Sequence, residues 1–203
     1  MINFQNMYDE LENNSYYIQD NLISSSDCEK LINYALERVK NNQFIEAGIG
    51  RSLNKEIIPE VRKSDIFWIE NWEESRQLQN LNLMLTDIMV GLNQIFFLSM
   101  KRFESQFALY PKGGFYKKHR DQHNLTRHRL VSTIFYLNDC PDHGELVLYN
   151  KVDKSKIDKI LYPKKGTFII FFSGHIYHEV KVTKSERFSI TSWLRNDEII
   201  PLV

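Results

Sequence analysis

The sequence predicts an α+β fold in which N-terminal helices pack on the outside of a β-barrel of the jelly-roll type. Two observations support this prediction. Apolar residues recur at helical spacing before about residue 100, whereas short segments rich in β-branched and aromatic residues follow it. Helices followed by many short strands are typical of helices packed against a sandwich or jelly roll. The 203 residues suit a single domain over 1–203, with helical support at about 21–100 and the jelly-roll core at about 101–197.

Two helices are predicted in the first half of the chain. Ser26, with Glu29 three residues later, resembles a capping box, and apolar residues follow it at helical spacing. A longer helix over about 73–97 places an apolar stripe on one face, formed by Leu78, Leu81, Leu85, Ile88, Met89 and Leu92. Residues 66–69 read as a short apolar strand, and the polar stretch 48–64 is expected to be a mobile loop.

Six strands are predicted after residue 100, at 103–110, 129–137, 145–149, 167–172, 178–182 and 187–194. On the last strand one face is mostly apolar and suits the helices, while the other carries Arg187, Ser189, Thr191 and Trp193. A buried guanidinium without a partner is very unfavourable. We therefore expect an anionic ligand inside the barrel, which Arg187 can bind through two parallel hydrogen bonds.

Composition and charge argue against several classes of protein. Lys plus Arg and Asp plus Glu both count 26, so the formal net charge is zero and no global basic footprint for nucleic acid or acidic membranes exists. The two cysteines, Cys28 and Cys140, cannot form a disulfide framework. Residues 1–6 lack the features of a secretory signal, and no apolar stretch approaches transmembrane length. We expect a reduced, cytoplasmic protein without a nucleic-acid or membrane partner.

The segment 111–129 is basic despite the neutral chain. Its only acid is Asp121, and its basic residues are Lys112, Lys117, Lys118, Arg120, Arg127 and Arg129. Such a rim can attract an anionic cosubstrate or an acidic peptide. A solvated surface loop explains the same charges equally well.

The tripeptide His119-Arg120-Asp121 is a candidate metal site. On an extended strand, His119 and Asp121 project from one face, and a distant imidazole can complete the ligand set. Two histidines and one carboxylate opposite open positions are typical of non-haem Fe(II) oxygenases. His175 and His178 compete for the distal role; we favour His178 because it leads into a predicted strand, whereas His175 lies in a turn. His123, spaced for a helix with His119, is a rival.

These motifs resemble the Fe(II)- and 2-oxoglutarate-dependent prolyl hydroxylases, most closely the oxygen-sensing HIF prolyl hydroxylase type and its bacterial relatives. The resemblance runs from about residue 21 to 197. Its most specific stretches are 62–70, Tyr110-Pro111, 119–121, 134–138, 144–146, 178–180, Arg187 and Trp193. His143-Gly144 stands where family members often have two glycines, which puts substrate choice in doubt more than iron chemistry.

The resemblance implies a cupin-like double-stranded β-helix and a role for each matching residue. His119, Asp121 and His178 are the implied catalytic iron ligands, and Arg187 and Tyr136 bind the distal carboxylate of 2-oxoglutarate. The other implied pocket residues are Tyr110, Leu146, Thr191 and Trp193. Arg129 matches a substrate-side arginine, and the stretch 48–64 occupies the place of a substrate-covering loop.

The implied activity is peptidyl-proline 4-hydroxylation of a protein substrate, with release of succinate and carbon dioxide. The implied cofactors are Fe(II), 2-oxoglutarate and O2, with L-ascorbate as an accessory reductant, and we expect a monomer. One alternative keeps these cofactors but oxidises another side chain, a small metabolite or an alkylated nucleic acid, the last disfavoured by the neutral charge. A second alternative is a non-catalytic barrel that senses 2-oxoglutarate or metal. Asp121 disfavours a halogenase, which lacks the carboxylate ligand.

Overall fold

The computed structural model describes residues 2–48 and 58–198. Most of the predicted mobile loop, residues 49–57, lies outside the described residues. The helices of the described part are α1 (Phe4–Asn14), α2 (Ser25–Lys40) and α3 (Arg76–Phe96), with single 3-10 turns at Trp72–Glu74 and Asn124–Thr126. None of the helices described is long and apolar enough to cross a membrane.

The strands of the described residues form two antiparallel sheets. They are β1 (Tyr16–Gln19), β2 (Ile45–Glu46), β3 (Arg62–Lys63), β4 (Asp65–Trp68), β5 (Arg102–Tyr110), β6 (Phe115–His119), β7 (Arg129–Tyr136), β8 (Leu146–Tyr149), β9 (Ile157–Leu161), β10 (Phe168–Phe172), β11 (His178–Val180) and β12 (Arg187–Arg195). The major sheet has the order β1-β10-β7-β12-β5-β4-β2, and the minor sheet the order β3-β6-β11-β8-β9. All six strands predicted after residue 100 are present, with ends shifted by at most two residues.

The helix starts follow capping chemistry, but the capping box predicted at Ser26 is wrong. Helix α2 begins two residues earlier, because the Oγ of Ser24 accepts a hydrogen bond from the backbone N–H of Asp27 at 3.1 Å. Ser75 caps α3 in the same way through the backbone N–H of Leu78. The sequence offers several serines at each start, so spacing alone did not identify the residue that caps.

One hydrophobic core lies between the helices and the major sheet. Tyr34 of α2 stacks on Phe107 of β5 with ring centroids 5.6 Å apart, and Phe96 of α3 meets Phe172 of β10 edge-on at 5.4 Å. Full burial of a side chain such as Phe107 contributes roughly 1.5–3 kcal/mol. The predicted stripe of α3 lies in this core, where Leu78, Leu81, Leu85, Ile88 and Leu92 are buried.

A second core lies between the two sheets, and it defines the cavity. It includes Tyr110, Ile134, Tyr136 and Leu146. Strand β12 serves both cores, as its alternation predicts: Phe188, Ile190 and Leu194 join the helix-facing core. The opposite face of β12 is therefore turned toward the space between the sheets.

Several short elements of the structure were absent from the sequence-based expectation. Helix α1, strand β1, the two-residue strands β2 and β3, and strand β9 were not predicted. Strands β2 and β3 are too short to carry a two-residue alternation, and they exist because they extend the edges of sheets built later in the chain. Strand β9 is an exposed edge strand of mixed polarity, which weakens its apolar pattern.

Candidate metal and cosubstrate site

Three side chains converge where strands β6 and β11 pair. His119, the last residue of β6, is the register partner of His178, the first residue of β11. Asp121 lies two residues beyond the end of β6 rather than on the strand itself, but its carboxylate still turns to the same side. The His119 Nε2 lies 3.5 Å from the Asp121 Oδ1, and the His178 Nε2 lies 3.8 Å from the Asp121 Oδ2.

The spacing of these atoms suits one metal ion. The three candidate ligand atoms all lie within 4.8 Å of one another. Adjacent octahedral ligands bonded at about 2.1 Å lie about 3 Å apart, so small side-chain movements close the set around an ion. Among the described residues, this is the one group of His, Cys, Asp and Glu side chains arranged to hold a metal. The rivals His123 and His175 are not part of it.

Both imidazoles present the correct nitrogen to the metal position. The Nδ1–H of His119 donates to the backbone carbonyl of Lys117 at 2.7 Å, and that of His178 to Ile176 at 3.4 Å. A carbonyl only accepts, so each ring carries its proton on Nδ1 and keeps the Nε2 lone pair free. Burial, reinforced by His119, lowers the pKa of His178 to about 4, so that the ring is neutral near pH 7.

Asp121 is held as a carboxylate. Burial acts to raise its pKa, but His178, His119 and a hydrogen bond from Ser132 outweigh burial and lower the pKa below its usual range. The Ser132 Oγ donates to the Asp121 Oδ2 at 2.7 Å and lies 2.7 Å from the Ser173 Oγ. This pair of buried serines orients the carboxylate in the way that second-sphere groups orient metal ligands.

The cavity beside the three ligands has about 430 Å³ of space, its open mouth included. Its aromatic and apolar walls are Tyr110, Tyr116, Ile134, Leu146, Val180 and Trp193. Polar residues enter from β12 and β5, namely Arg187, Ser189, Thr191 and Gln106, and Arg62 enters from β3.

Arg187 is the deepest charged group of this cavity. Its side chain is only 1% exposed, and its guanidinium carbon lies 4.8 Å from the ring centres of both Tyr110 and Tyr136. One terminal nitrogen donates to the Tyr136 Oη at 3.0 Å, whereas Nε has no partner within the described residues. A buried guanidinium with an unused donor fits a carboxylate ligand that is added to the protein. The three ligands and Arg187 thus fit a metal and an anionic cosubstrate respectively.

The remaining residues singled out from the sequence lie at different distances from this centre. Tyr110, Leu146, Thr191 and Trp193 line the cavity, and Tyr136 contacts it through Arg187. Arg129 is not a lining residue. Its guanidinium lies 3.7 Å from the Trp193 ring centre, and its nitrogens donate to Glu104 at 2.8 and 2.6 Å.

Tyr116 and Arg62 are among the cavity residues that received no role from the sequence. The Tyr116 ring stacks on the His119 ring with centroids 3.5 Å apart, and the Arg62 guanidinium lies 4.7 Å from the centre of Tyr116. Tyr116 and His119 are three residues apart, so a regular strand places them on opposite faces. The β6–β11 pairing is irregular between His178 and Val180, and this bulge turns both rings to the cavity.

Comparison with known proteins agrees with this site. Residues 105–195, which include the three metal ligands and Arg187, match the 2OG-Fe(II) oxygenase superfamily. This segment is a 2OG-Fe(II) oxygenase domain. Its iron, 2-oxoglutarate and O2 are therefore the cofactor and cosubstrates predicted from the sequence. A role for ascorbate stays a prediction.

This oxygenase is similar in structure to several prolyl hydroxylases. A Pseudomonas putida prolyl-4-hydroxylase superposes with a TM-score of 0.83 and 25% identity over 96% of this chain and 100% of that one. A Trichoplax adhaerens prolyl hydroxylase, in complex with a peptide fragment of hypoxia-inducible factor, gives a TM-score of 0.82 and 23% identity over 95% and 89%. A viral collagen prolyl hydroxylase from Paramecium Bursaria Chlorella virus-1, in complex with 2-oxoglutarate, gives 0.65 and 19% over 92% and 98%. The resemblance stated from the sequence is confirmed.

Proposed function

We propose that this 2OG-Fe(II) oxygenase is a peptidyl-proline 4-hydroxylase. The main support is the cavity, in which an aromatic wall stands beside the metal ligands, taken together with the similarity to the Pseudomonas putida prolyl-4-hydroxylase along the whole chain. The peptide in the Trichoplax adhaerens complex supports a peptide as the substrate class. We also infer that the two sheets are the halves of a double-stranded β-helix, and that the enzyme is a cytoplasmic monomer.

The described residues divide the work of binding and orientation. His119, Asp121 and His178 would hold the iron on one side and leave its other positions open. Arg187 and Tyr136 would bind the distal carboxylate of 2-oxoglutarate, while Thr191 and Leu146 line its pocket. Iron, 2-oxoglutarate and O2 supply an oxidation in which one oxygen atom enters a substrate C–H bond and the other enters succinate, with release of carbon dioxide.

The walls of the cavity would select and protect the reacting group. Tyr110, Tyr116 and Trp193 present ring surfaces that suit the apolar face of a proline ring. Burial raises the pKa of the Tyr116 phenol to about 12, so its ring stays neutral at physiological pH. A neutral aromatic wall keeps water from the site without placing a second anion beside Asp121.

The test is oxidation of synthetic peptides under heavy-isotope oxygen gas, with the position of the label located by tandem mass spectrometry. The expected result is one labelled oxygen atom on proline C4 and succinate in equal amount, both absent with the His178→Ala variant. Label on another side chain, or turnover only with a small metabolite, would support the alternative substrates instead. Binding of 2-oxoglutarate without any succinate would support the sensing barrel.

A further inference from the structure

Arg62 is the second arginine of the cavity, and it stands apart from Arg187. It comes from β3, the edge strand of the minor sheet, whereas Arg187 comes from β12 in the major sheet. The Arg62 side chain is only 8% exposed. Its position over Tyr116, which stacks on His119, puts it beside the metal ligands at the edge of the minor sheet.

The guanidinium of Arg62 is only partly used. Its Nε donates to the Ser64 Oγ at 2.7 Å, and no carboxylate of the described residues lies within ion-pairing distance. Four other buried or half-buried arginines do pair with an acid, namely Arg38, Arg102, Arg129 and Arg195. Among the described residues, neither of the two arginines that line the cavity, Arg62 and Arg187, has an acidic partner.

When iron and 2-oxoglutarate are bound, no negative charge of the site is left over to balance the positive charge of Arg62. Iron brings two positive charges, Arg187 one positive, Asp121 one negative and 2-oxoglutarate two negative, so these four sum to zero. His119 and His178 add no charge as metal ligands, because each ring binds through Nε2 as a neutral imidazole with its proton on Nδ1. The single positive charge of Arg62 remains, in a place where water is largely excluded and an unpaired charge is unfavourable.

We propose that Arg62 binds a carboxylate of the peptide substrate, so that the enzyme selects prolines that have an acidic residue nearby in the chain. This inference rests on the proposed function. The exposed lysines around β3 and β6, namely Lys63, Lys112, Lys117 and Lys118, give the approach to Arg62 the same sign of charge. An acidic peptide is therefore attracted to the rim and paired at Arg62, where two terminal nitrogens can bind its carboxylate in parallel.

The test compares peptides that differ by one charge at constant shape. Amidated, acetylated peptides with a central proline carry one Glu or one Gln at each flanking position in turn. Dissociation constants are measured by fluorescence anisotropy on the protein loaded with zinc and 2-oxoglutarate, at one fixed salt concentration. The variants are Arg62→Gln, Arg62→Lys and the charge reversal Arg62→Glu. Lys159→Glu is the matched control, because it makes a charge reversal on an exposed residue of β9, which is the opposite edge strand of the minor sheet and does not line the cavity.

At one flanking position or more, the wild type is expected to bind the Glu peptide at least about tenfold more tightly than its Gln partner. Arg62→Gln removes this preference while leaving the affinity for the Gln peptide unchanged, Arg62→Lys keeps part of it, and Arg62→Glu reverses it. Lys159→Glu keeps it. Equal affinities in the wild type, a preference that survives Arg62→Gln, or an equal loss for both peptides would overturn the inference; the last result assigns Arg62 to packing on Tyr116.

A second measurement does not depend on any peptide. Acetate is titrated into the same loaded protein, and the guanidinium Nε resonance of Arg62 is followed by NMR and assigned by its absence in Arg62→Gln. The expected result is a saturable shift of this resonance. If no proline peptide binds at all, the proposed function fails, and acetate alone decides the inference: no shift means that Arg62 is not an anion site.

Discussion

Arg187 and Tyr136 form the polar end of the cavity, with the guanidinium donating to the phenol oxygen at 3.0 Å while the arginine Nε has no acceptor. Both side chains are fully buried in the core between the sheets. A hydrogen bond to a neutral phenol does not neutralise the arginine, so the pair is incomplete without an anion. Binding of the 2-oxoglutarate carboxylate completes it, and the affinity for the cosubstrate should depend on both residues unequally.

Replacing Arg187 by Met should nearly abolish cosubstrate binding. Loss of a buried charge pair costs several kcal/mol, so the KM for 2-oxoglutarate should rise by about 100-fold or more. Tyr136→Phe removes one hydrogen bond and should raise the KM by about tenfold with kcat little changed. Steady-state kinetics measure both. In the zinc-loaded protein, 2-oxoglutarate should raise the Tm of Tyr136→Phe but not of Arg187→Met. If 2-oxoglutarate raised the Tm of Arg187→Met as much as that of the wild type, its distal carboxylate would bind elsewhere.

His178→Ala should remove metal binding, because it deletes one of three ligands. The expected fall in Co(II) or Fe(II) affinity is at least about 100-fold, and turnover should fall to background. His175→Ala is the control, since its ring contacts the Ser15 Oγ at 3.1 Å outside the ligand group. Metal titration followed by absorption of the cobalt-loaded protein distinguishes the two variants. Retention of metal by His178→Ala, with loss in His175→Ala, would reverse the ligand choice.

Ser132→Ala should weaken metal binding without removing a ligand. The variant loses the hydrogen bond that orients the Asp121 carboxylate. Loss of a group that hydrogen-bonds a metal ligand typically lowers metal affinity by about 10–100-fold. Ser105→Ala is a matched control, because Ser105 makes an equally short, buried bond of 2.7 Å to Ser192. Both variants should lose about 1 kcal/mol of unfolding free energy, as measured in urea. If the two lose metal affinity equally, Ser132 has no orienting role.

The two cysteines should react slowly in the native protein. Both are fully buried, and burial raises the pKa of Cys28 to about 11 and that of Cys140 in the same direction. At pH 8 a thiol with the pKa of Cys28 is ionised to roughly one part in a thousand, and the thiolate is the reactive form. Iodoacetamide should therefore label neither residue until urea is added, as mass spectrometry can verify. Rapid labelling of native Cys28 at pH 8 would contradict its place in the core.

Much of the strand-rich half could be predicted because its signals are local. The alternation on β12 placed Arg187 and Trp193 on the cavity side, and the apolar stripe of α3 identified its buried face. The ligand spacing of His119 and Asp121 was also readable, although Asp121 lies beyond the strand that was expected to hold it. These features depend on residues close in sequence, where periodicity carries the information.

The features that sequence reasoning missed depend on long-range pairing. Arg62 reaches the cavity because the two-residue strand β3 pairs with β6, and no local pattern reveals such a short strand. Tyr116 faces the cavity because of a bulge opposite β11, which breaks the two-residue period. The bond from Arg129 of β7 to Glu104 of β5 spans the intervening strand β12, so an arginine assigned to the substrate side is already paired with an acid.

The most direct test is a crystal structure of the protein with Mn(II) and 2-oxoglutarate, in which anomalous scattering locates the metal. We expect manganese bonded to the Nε2 atoms of His119 and His178 and to the Asp121 carboxylate, with the distal carboxylate of 2-oxoglutarate on Arg187. Metal on His123 or His175 would contradict the ligand assignment. A distal carboxylate on Arg62 would contradict the division of the cavity between cosubstrate and substrate.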